Sequence, residues 1–285
     1  MTSSSKLEVS ANAQTHWETL LENLTSLESV VVGFSGGVDS GLLSVAAHEA
    51  LGERMLAVTI KTPVETLGTI EIAEKLAEQF HFNHQIVEFD DLNDQKFVSN
   101  PVDRCYHCKR MDFGIIWKIA RQGNYRHVLD GSNADDISDY RPGRKAALEL
   151  EVLSPLLEAG LKKPEIRELA RALGMANWNR PSSPCLASRF PYGTKITREG
   201  LQQVAAGEAY LYELGFQVVR VRYGGVSTRI EVAPQEIDRL LANRESVVSF
   251  FKSLGFKYVL IDLEGYRQGS LNEVLPASVL DASEN

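Results

Sequence analysis

Cysteine is scarce in this chain. There are three in 285 residues, alongside three tryptophans and four methionines. So few thiols, odd in number, exclude a disulfide-stapled secreted scaffold and suit a reducing compartment, where thiols serve as ligands or reactants. Positive charge is also short: 30 Lys and Arg face 38 Asp and Glu, a net −8. That balance argues against a broad nucleic-acid-binding surface, which needs a basic face. No run is long and apolar enough to span a bilayer. The opening Met1–Ser10 segment has neither a basic start nor an apolar stretch of secretory length. The expectation is a cytoplasmic chain with no membrane and no nucleic-acid partner. Internal repeats and low-complexity tracts are missing as well.

Hydrophobic residues make up 44% of the chain, enough for a substantial core in one large domain or two modest ones. Trp17, Leu20, Leu21 and Leu24 recur at helical spacing. Val30–Phe34 is a short unbroken apolar run, the pattern of a buried parallel strand. Further strands are predicted at Met55–Ile60, Gln85–Phe89 and Arg126–Asp130, with helices between them, the last of these around Met111–Arg121. This alternation predicts an α/β fold with a doubly wound parallel sheet. After Pro184 the rhythm changes to a helix at Arg198–Leu214, strands at Gln217–Tyr223 and Ser227–Val232, further helices, and a strand at Lys257–Asp262. The expected organisation is a nucleotide domain over residues 1–189 and a smaller α+β domain over 190–285.

Ser35-Gly36-Gly37-Val38-Asp39-Ser40 falls between the first strand and a helix start, where backbone N–H groups and the helix dipole favour an anion. Gly36 and Gly37 permit unusual backbone angles and remove side chains that would hold oxygen atoms away. Ser35 and Ser40 can donate further hydrogen bonds. Asp39 beside phosphate makes sense with Mg²⁺ between them. The Gly-Lys-Ser/Thr ending of the Walker loop is absent, so the loop suits gripping pyrophosphate as a leaving group while AMP passes to a substrate. The alternative is a glycine turn that caps a helix.

Cys105 and Cys108 stand in Cys-Tyr-His-Cys-Lys, and Cys185 in Pro-Ser-Ser-Pro-Cys-Leu-Ala-Ser-Arg. A zinc knuckle would bring a second Cys/His pair, which does not appear. In a doubly wound fold the two loops can meet at the carboxyl edge of the sheet. Three thiolates suit a [4Fe–4S] cluster with one iron free of protein ligand, able to present hydrosulfide. Ordinary cysteines, or a zinc site completed by His107, remain open.

Charged residues add candidates. Asp135 and Asp136 sit just past a strand end and could serve Mg²⁺ or substrate, or form a solvated turn. Lys109 could lower a thiol pKa or face phosphate. A two-residue turn at Gly224-Gly225 would set Tyr223 opposite Val226 and Arg220 opposite Arg229, with Arg220, Arg222, Arg229 and Glu231 on one face. Such clustered guanidinium forks suit phosphate. Arg189 could contact phosphate or pin its loop.

Ser35–Ser40 resembles the signature of the PP-loop ATP pyrophosphatases. Asp130–Asp136, Asp139–Gly143, Trp178-Asn179 and Ser188–Gly193, together with that loop, resemble the LarE sulfur transferases from the PP-loop to about Asn272. The resemblance implies a homo-oligomer that uses ATP and Mg²⁺ on a small-molecule nucleotide, with sulfide or another sulfur donor. It implies Lys61 near adenine, and Arg220, Arg222 and, with them, Glu208 at a substrate phosphate. It also implies adenylation of pyridinium-3,5-biscarboxylate mononucleotide and its conversion to thiocarboxylate for the nickel-pincer cofactor. Relatives with one such cysteine give up its sulfur. The added Cys105 and Cys108 make this chain resemble the cluster-dependent branch, with Cys185 a ligand. The alternatives are an ammonia-dependent amidoligase, a tRNA-thiolating enzyme, and a nonenzymatic iron–sulfur nucleotide sensor.

Overall fold

The computed structural model describes residues 7–138, 142–181 and 183–276. Asp139, Tyr140 and Arg141, which carry part of the LarE resemblance, and the C-terminal 281–285 stretch lie outside them. The first half runs α1 (Ala11–Ser26), β1 (Val30–Gly33), α2 (Val38–Leu51), β2 (Met55–Lys61), α3 (Thr69–Phe80), β3 (His84–Glu88), α4 (Gln95–Val98), α5 (Arg104–Gln122) and β4 (His127–Leu129). Then follow α6 (Pro142–Glu149), α7 (Pro155–Glu158), α8 (Lys163–Ala172) and α9 (Arg198–Glu213). The chain continues through β5 (Val219–Gly224), β6 (Ser227–Val232), α10 (Ile237–Ala242), α11 (Arg244–Ser253) and β7 (Tyr258–Ile261).

The first four strands form an all-parallel sheet in the order β3-β2-β1-β4. Alternation along β1 feeds both faces. Val30 and Val32 pack with Leu42, Leu76 and Ile166 from α2, α3 and α8. Val31 packs on the other face with Phe113, Ile116 and Ala120 of α5. Burial on both sides is why β1 reads as an unbroken apolar run, whereas the edge strand β3 keeps polar, partly exposed positions. The strand order reverses beside β1, so the carboxyl ends of β1 and β4 open the crevice where such folds bind ligands.

The second sheet has β5 antiparallel to β6 and β6 parallel to β7. Its core joins Leu201, Val204 and Leu211 of α9 to Val219, Val221, Ile230 and Phe251. Val64, Phe97, Leu186 and Phe190 belong to that same cluster, so the segment after Cys185 packs with the second sheet. The hairpin turn falls on Gly225-Val226, one residue later than expected, because Gly225 takes φ +69° while Gly224 still pairs with Ser227. Arg220 therefore faces Glu231, and it is Arg222 that faces Arg229. A two-residue shift in register keeps all four on one face.

Candidate active site

The Ser-Gly-Gly turn leaves β1 and enters α2. Gly36 has φ +69°, and a Cβ there would lie 2.7 Å from the Thr69 carbonyl oxygen at the start of α3. Only glycine suits both the angle and the approach. The first helical bond runs from Gly41 N–H to Gly37 C=O at 2.9 Å. The N–H groups of Val38, Asp39 and Ser40 thus lie ahead of the helical ladder, where an anion gains most. Ser40 Oγ accepts from Ser35 N–H at 3.1 Å and lies 3.0 Å from Ser35 Oγ, tying the loop's ends together.

The loop after β4 closes on this turn. A Cβ on Gly131 would stand 2.9 Å from Ser40 N and 3.0 Å from Ser40 Cα. Asn133 Nδ2 donates to Asp39 Oδ1 at 3.4 Å, and Lys163 Nζ at the start of α8 pairs with Asp39 Oδ2. Buried Asn177 donates to Gly36 O at 3.1 Å. Asp135 Oδ2 accepts from Lys163 N–H at 2.8 Å, and Asp136 Oδ2 from Asn133 N–H at 3.0 Å. Those two carboxylates frame the residues that reach Asp39. Sequence reasoning missed Lys163 and Asn177; the Lys-Pro helix start at Lys163 was the available signal for the first, and nothing local marks the second. Lys61 lies at the end of β2, exposed, with Glu88 Oε1 at 2.9 Å.

Cys105 and Cys108 were expected ahead of a helix, but α5 begins at Arg104 and carries both in its first turns, three residues apart and so on one side. Cys185 precedes a tight turn at Leu186–Arg189. Arg104 and Asn100 draw the two segments together. Buried Arg104 donates to Ala187 O at 3.1 Å and to Asn100 Oδ1. Asn100 Nδ2 reaches Phe190 O and Pro191 O at 3.3 and 2.8 Å. Although Cys105 is exposed as a residue, crowding around its sulfur pushes the thiol pKa up, opposed by Arg104 and aided by Cys185. Burial pushes Cys108 well up, with Asp112 and then Cys185 adding to it.

Among the described residues no three His, Cys, Asp or Glu side chains close around a single metal ion. A cluster of several irons spreads its ligands wider. Two thiols on α5 and a third on the segment that Arg104 and Asn100 tie to it have the donor chemistry for such an anionic group. His107 Nε2 lies 3.4 Å from Asp103 Oδ2, and Lys109 Nζ lies 3.9 Å from Asp112 and above the Phe113 ring.

One loop joins the two chemistries. Val64 O accepts from Leu186 N–H at 2.7 Å, Thr66 Oγ1 from Ser183 Oγ at 3.0 Å, and Leu67 O from Arg180 at 3.2 Å. Two residues further on, Thr69 touches Gly36. Beside this loop opens a cleft of about 990 Å³, lined by Lys61, Glu65, Arg167, Arg180, Glu208 and Arg220 among others. Arg220 is buried, with its guanidinium over the Tyr266 ring. Arg189 binds Glu208 through two bonds, and Arg222 binds Glu231 in the same way at 2.8 and 2.7 Å. Glu231 also accepts from Arg229 at 3.0 Å. Glu65 and Asp91, both overlooked in the sequence, carry pKa values pushed up to about 7, chiefly by burial.

Residues 14–122 match the family described as NAD synthase. The chain is 39% identical over 271 residues to pyridinium-3,5-bisthiocarboxylic acid mononucleotide synthase of Lactiplantibacillus plantarum, covering 95% of this chain and 98% of that protein. It is also 39% identical to an uncharacterized protein of Synechocystis sp., across 90% of this chain and 98% of the relative. A glutamine-hydrolyzing GMP synthase polypeptide of Pyrococcus horikoshii is 28% identical over 64% of this chain and 63% of its own length. With the PP-loop turn at the sheet edge and a relative matched end to end, the chain belongs to the LarE-type sulfur transferases of the PP-loop superfamily.

Proposed function

We propose that this protein adenylates a carboxylate of pyridinium-3,5-biscarboxylate mononucleotide and converts it to a thiocarboxylate, toward the nickel-pincer cofactor. The observation that carries the reading is the 64–69 loop, bonded at one end to the Cys185 segment and touching the Ser-Gly-Gly turn at the other. An activated carbon and a sulfur atom must meet, and a loop in contact with both segments supports that reading.

Ser35, Gly36, Gly37 and Ser40 grip the β- and γ-phosphates of ATP, with Mg²⁺ beside Asp39 and Lys61 toward the adenine. Asp135 and Asp136 support that site. A substrate carboxylate oxygen attacks the α-phosphorus, pyrophosphate leaves, and an acyl adenylate forms. A sulfur nucleophile then attacks the carbonyl carbon, its proton is released, and the bond to AMP breaks. AMP leaves readily where a carboxylate oxygen would not. Arg220 and Arg222 form the substrate-phosphate side on the smaller domain over residues 190–285, while Arg189 and Glu208, bonded to each other, hold the segment leading to it in place.

Cys105, Cys108 and Cys185 would hold a [4Fe–4S] cluster, which would supply iron able to take up sulfur from sulfide itself or another donor. The protein works in the cytoplasm as a homo-oligomer. The test is anaerobic purification followed by intact mass across one reaction cycle with ATP and sulfide. Brown protein of unchanged mass that makes product repeatedly supports the reading. Loss of about one sulfur and two hydrogens assigns Cys185 as a spent donor instead. AMP release driven by ammonium and not by sulfide overturns sulfur transfer.

A further inference from the structure

The arginines near the cleft fall into two groups. Arg189 and Arg222 each spend their fork on a carboxylate, Glu208 and Glu231. Among the described residues, Arg180 and Arg167 do not. Arg180 is half-buried, and its side-chain hydrogen bond among the described residues goes to a backbone oxygen, Leu67 O. Burial lowers its pKa, and Tyr212 and Glu71 oppose this only in part. Glu71 lines the same cleft without an ion pair to Arg180 among the described residues. Arg167 is also half-buried, and its Nε, shielded from solvent, has no hydrogen-bond partner among the described residues. A desolvated guanidinium without a counter-charge is costly, and an anion would relieve it.

The local backbone places both cations between the two chemical centres. Arg167 lies one turn beyond Lys163 on α8, hence on the same side as the residue that reaches Asp39. The turn after α8 closes with Arg180 N–H donating to Asn177 O at 3.0 Å, and Asn177 itself holds Gly36. Arg180 is thus a single turn from the Ser-Gly-Gly loop and five residues from Cys185.

We propose that Arg180 and Arg167 form an anion site in the cleft that binds the phosphate of a nucleotide monoester, deepening the reading above and resting on it for the cleft's role. Two ligands share that chemistry: the adenylate derived from ATP and the 5′-phosphate of the mononucleotide substrate. A planar fork with open N–H groups matches the oxygens of either.

The experiment is calorimetric titration of the intact protein with AMP, adenosine, nicotinate mononucleotide and nicotinate riboside. Wild type, Arg180→Gln, Arg167→Gln and Arg180→Lys are compared, each checked for an unchanged thermal midpoint. The expected result for the Gln variants is at least about tenfold weaker binding of a phosphorylated ligand, with its phosphate-free partner unaffected. Arg180→Lys keeps the charge without the fork and should fall between. Loss confined to nicotinate mononucleotide assigns the substrate phosphate, and loss confined to AMP assigns the adenylate. Should wild type ignore nicotinate mononucleotide altogether, the proposed acceptor fails while AMP still reads the anion site. Affinities for both phosphorylated ligands unchanged in the Gln variants would overturn the site.

Discussion

Arg189 and Glu208 meet fork to fork, with Nε to Oε1 at 2.7 Å and Nη2 to Oε2 at 2.9 Å, and the arginine is 1% exposed. The remaining nitrogen, Nη1, donates to Pro184 O at 2.9 Å and to Ser188 Oγ at 2.7 Å. Glu208 Oε1 also accepts from Val221 N–H at 3.1 Å. One pair therefore ties α9 and β5 to the residues flanking Cys185. Glu208→Ala would leave a buried guanidinium uncompensated, a loss of about 3–5 kcal/mol. The double variant Arg189→Met/Glu208→Leu should recover much of that stability while still losing sulfur transfer, because the Cys185 segment is no longer held. Urea denaturation and product formation, measured together, check this; full activity in the double variant would reduce the pair to a packing element.

The approach of the β4 loop to the PP-loop is equally specific. Gly131→Ala would set a methyl group 2.9 Å from Ser40 N and 3.0 Å from Ser40 Cα. Those neighbours are backbone and cannot swing away, so the PP-loop itself must move. The stability cost is about 1–3 kcal/mol. Pyrophosphate release should drop far more than that cost implies, because the displaced atoms include the N–H groups offered to phosphate. An ATP-binding titration beside a thermal melt separates the two effects. Unchanged ATP affinity would show that the loop tolerates the shift.

Asp39 is held by Lys163 and Asn133, so the carboxylate is presented as a paired anion, ready to exchange a cation partner. Lys163→Met removes that partner. The expected outcome is weaker ATP binding without Mg²⁺, by about tenfold, and a smaller deficit when Mg²⁺ is saturating. Asp39→Asn should show the opposite pattern, binding nucleotide but losing the response to Mg²⁺. Titrating ATP across a Mg²⁺ series reads both. Parallel losses at every Mg²⁺ concentration would remove Asp39 from metal contact.

The parallel sheet was legible chiefly through its inner strand β1, which is buried on both faces and prints an unbroken apolar run, Val30–Val32. The hairpin was legible in its face but not in its register. Two adjacent glycines left open which would take the positive angle, and Gly225 takes it. The CxxC pair misled in another way. Its polar sequence hid a helix start, since α5 buries only Arg104, Phe113, Ile116 and Ala120 among its described positions. Contacts such as Arg104 to Ala187 and Lys163 to Asp39 span 83 and 124 residues. No local pattern encodes them; they follow from the order in which strands join the sheet.

Glu65 and Asp91 make the stability of this protein depend on pH in an unusual direction. Burial raises the Glu65 pKa to about 7, with Asp112 and Asp91 adding to it and Lys61 opposing. Burial raises Asp91 to about 7 as well, with Asp112 adding and the Thr62 hydroxyl opposing. In the unfolded chain both groups titrate near their ordinary values of about 4. Between about pH 4 and pH 7 the folded state therefore holds protons that the unfolded state has released. Stability must fall as pH rises through that window and level off above it. Most paired carboxylates have depressed pKa values and produce the reverse slope. Replacing both, as Glu65→Gln/Asp91→Asn, removes the ionisable groups while keeping their shape. The variant should match wild type near pH 4.5 and melt at a higher temperature at pH 8, with a flatter profile between. Thermal midpoints of both proteins across that range decide it. Two profiles falling in parallel would place the pH response elsewhere in the chain.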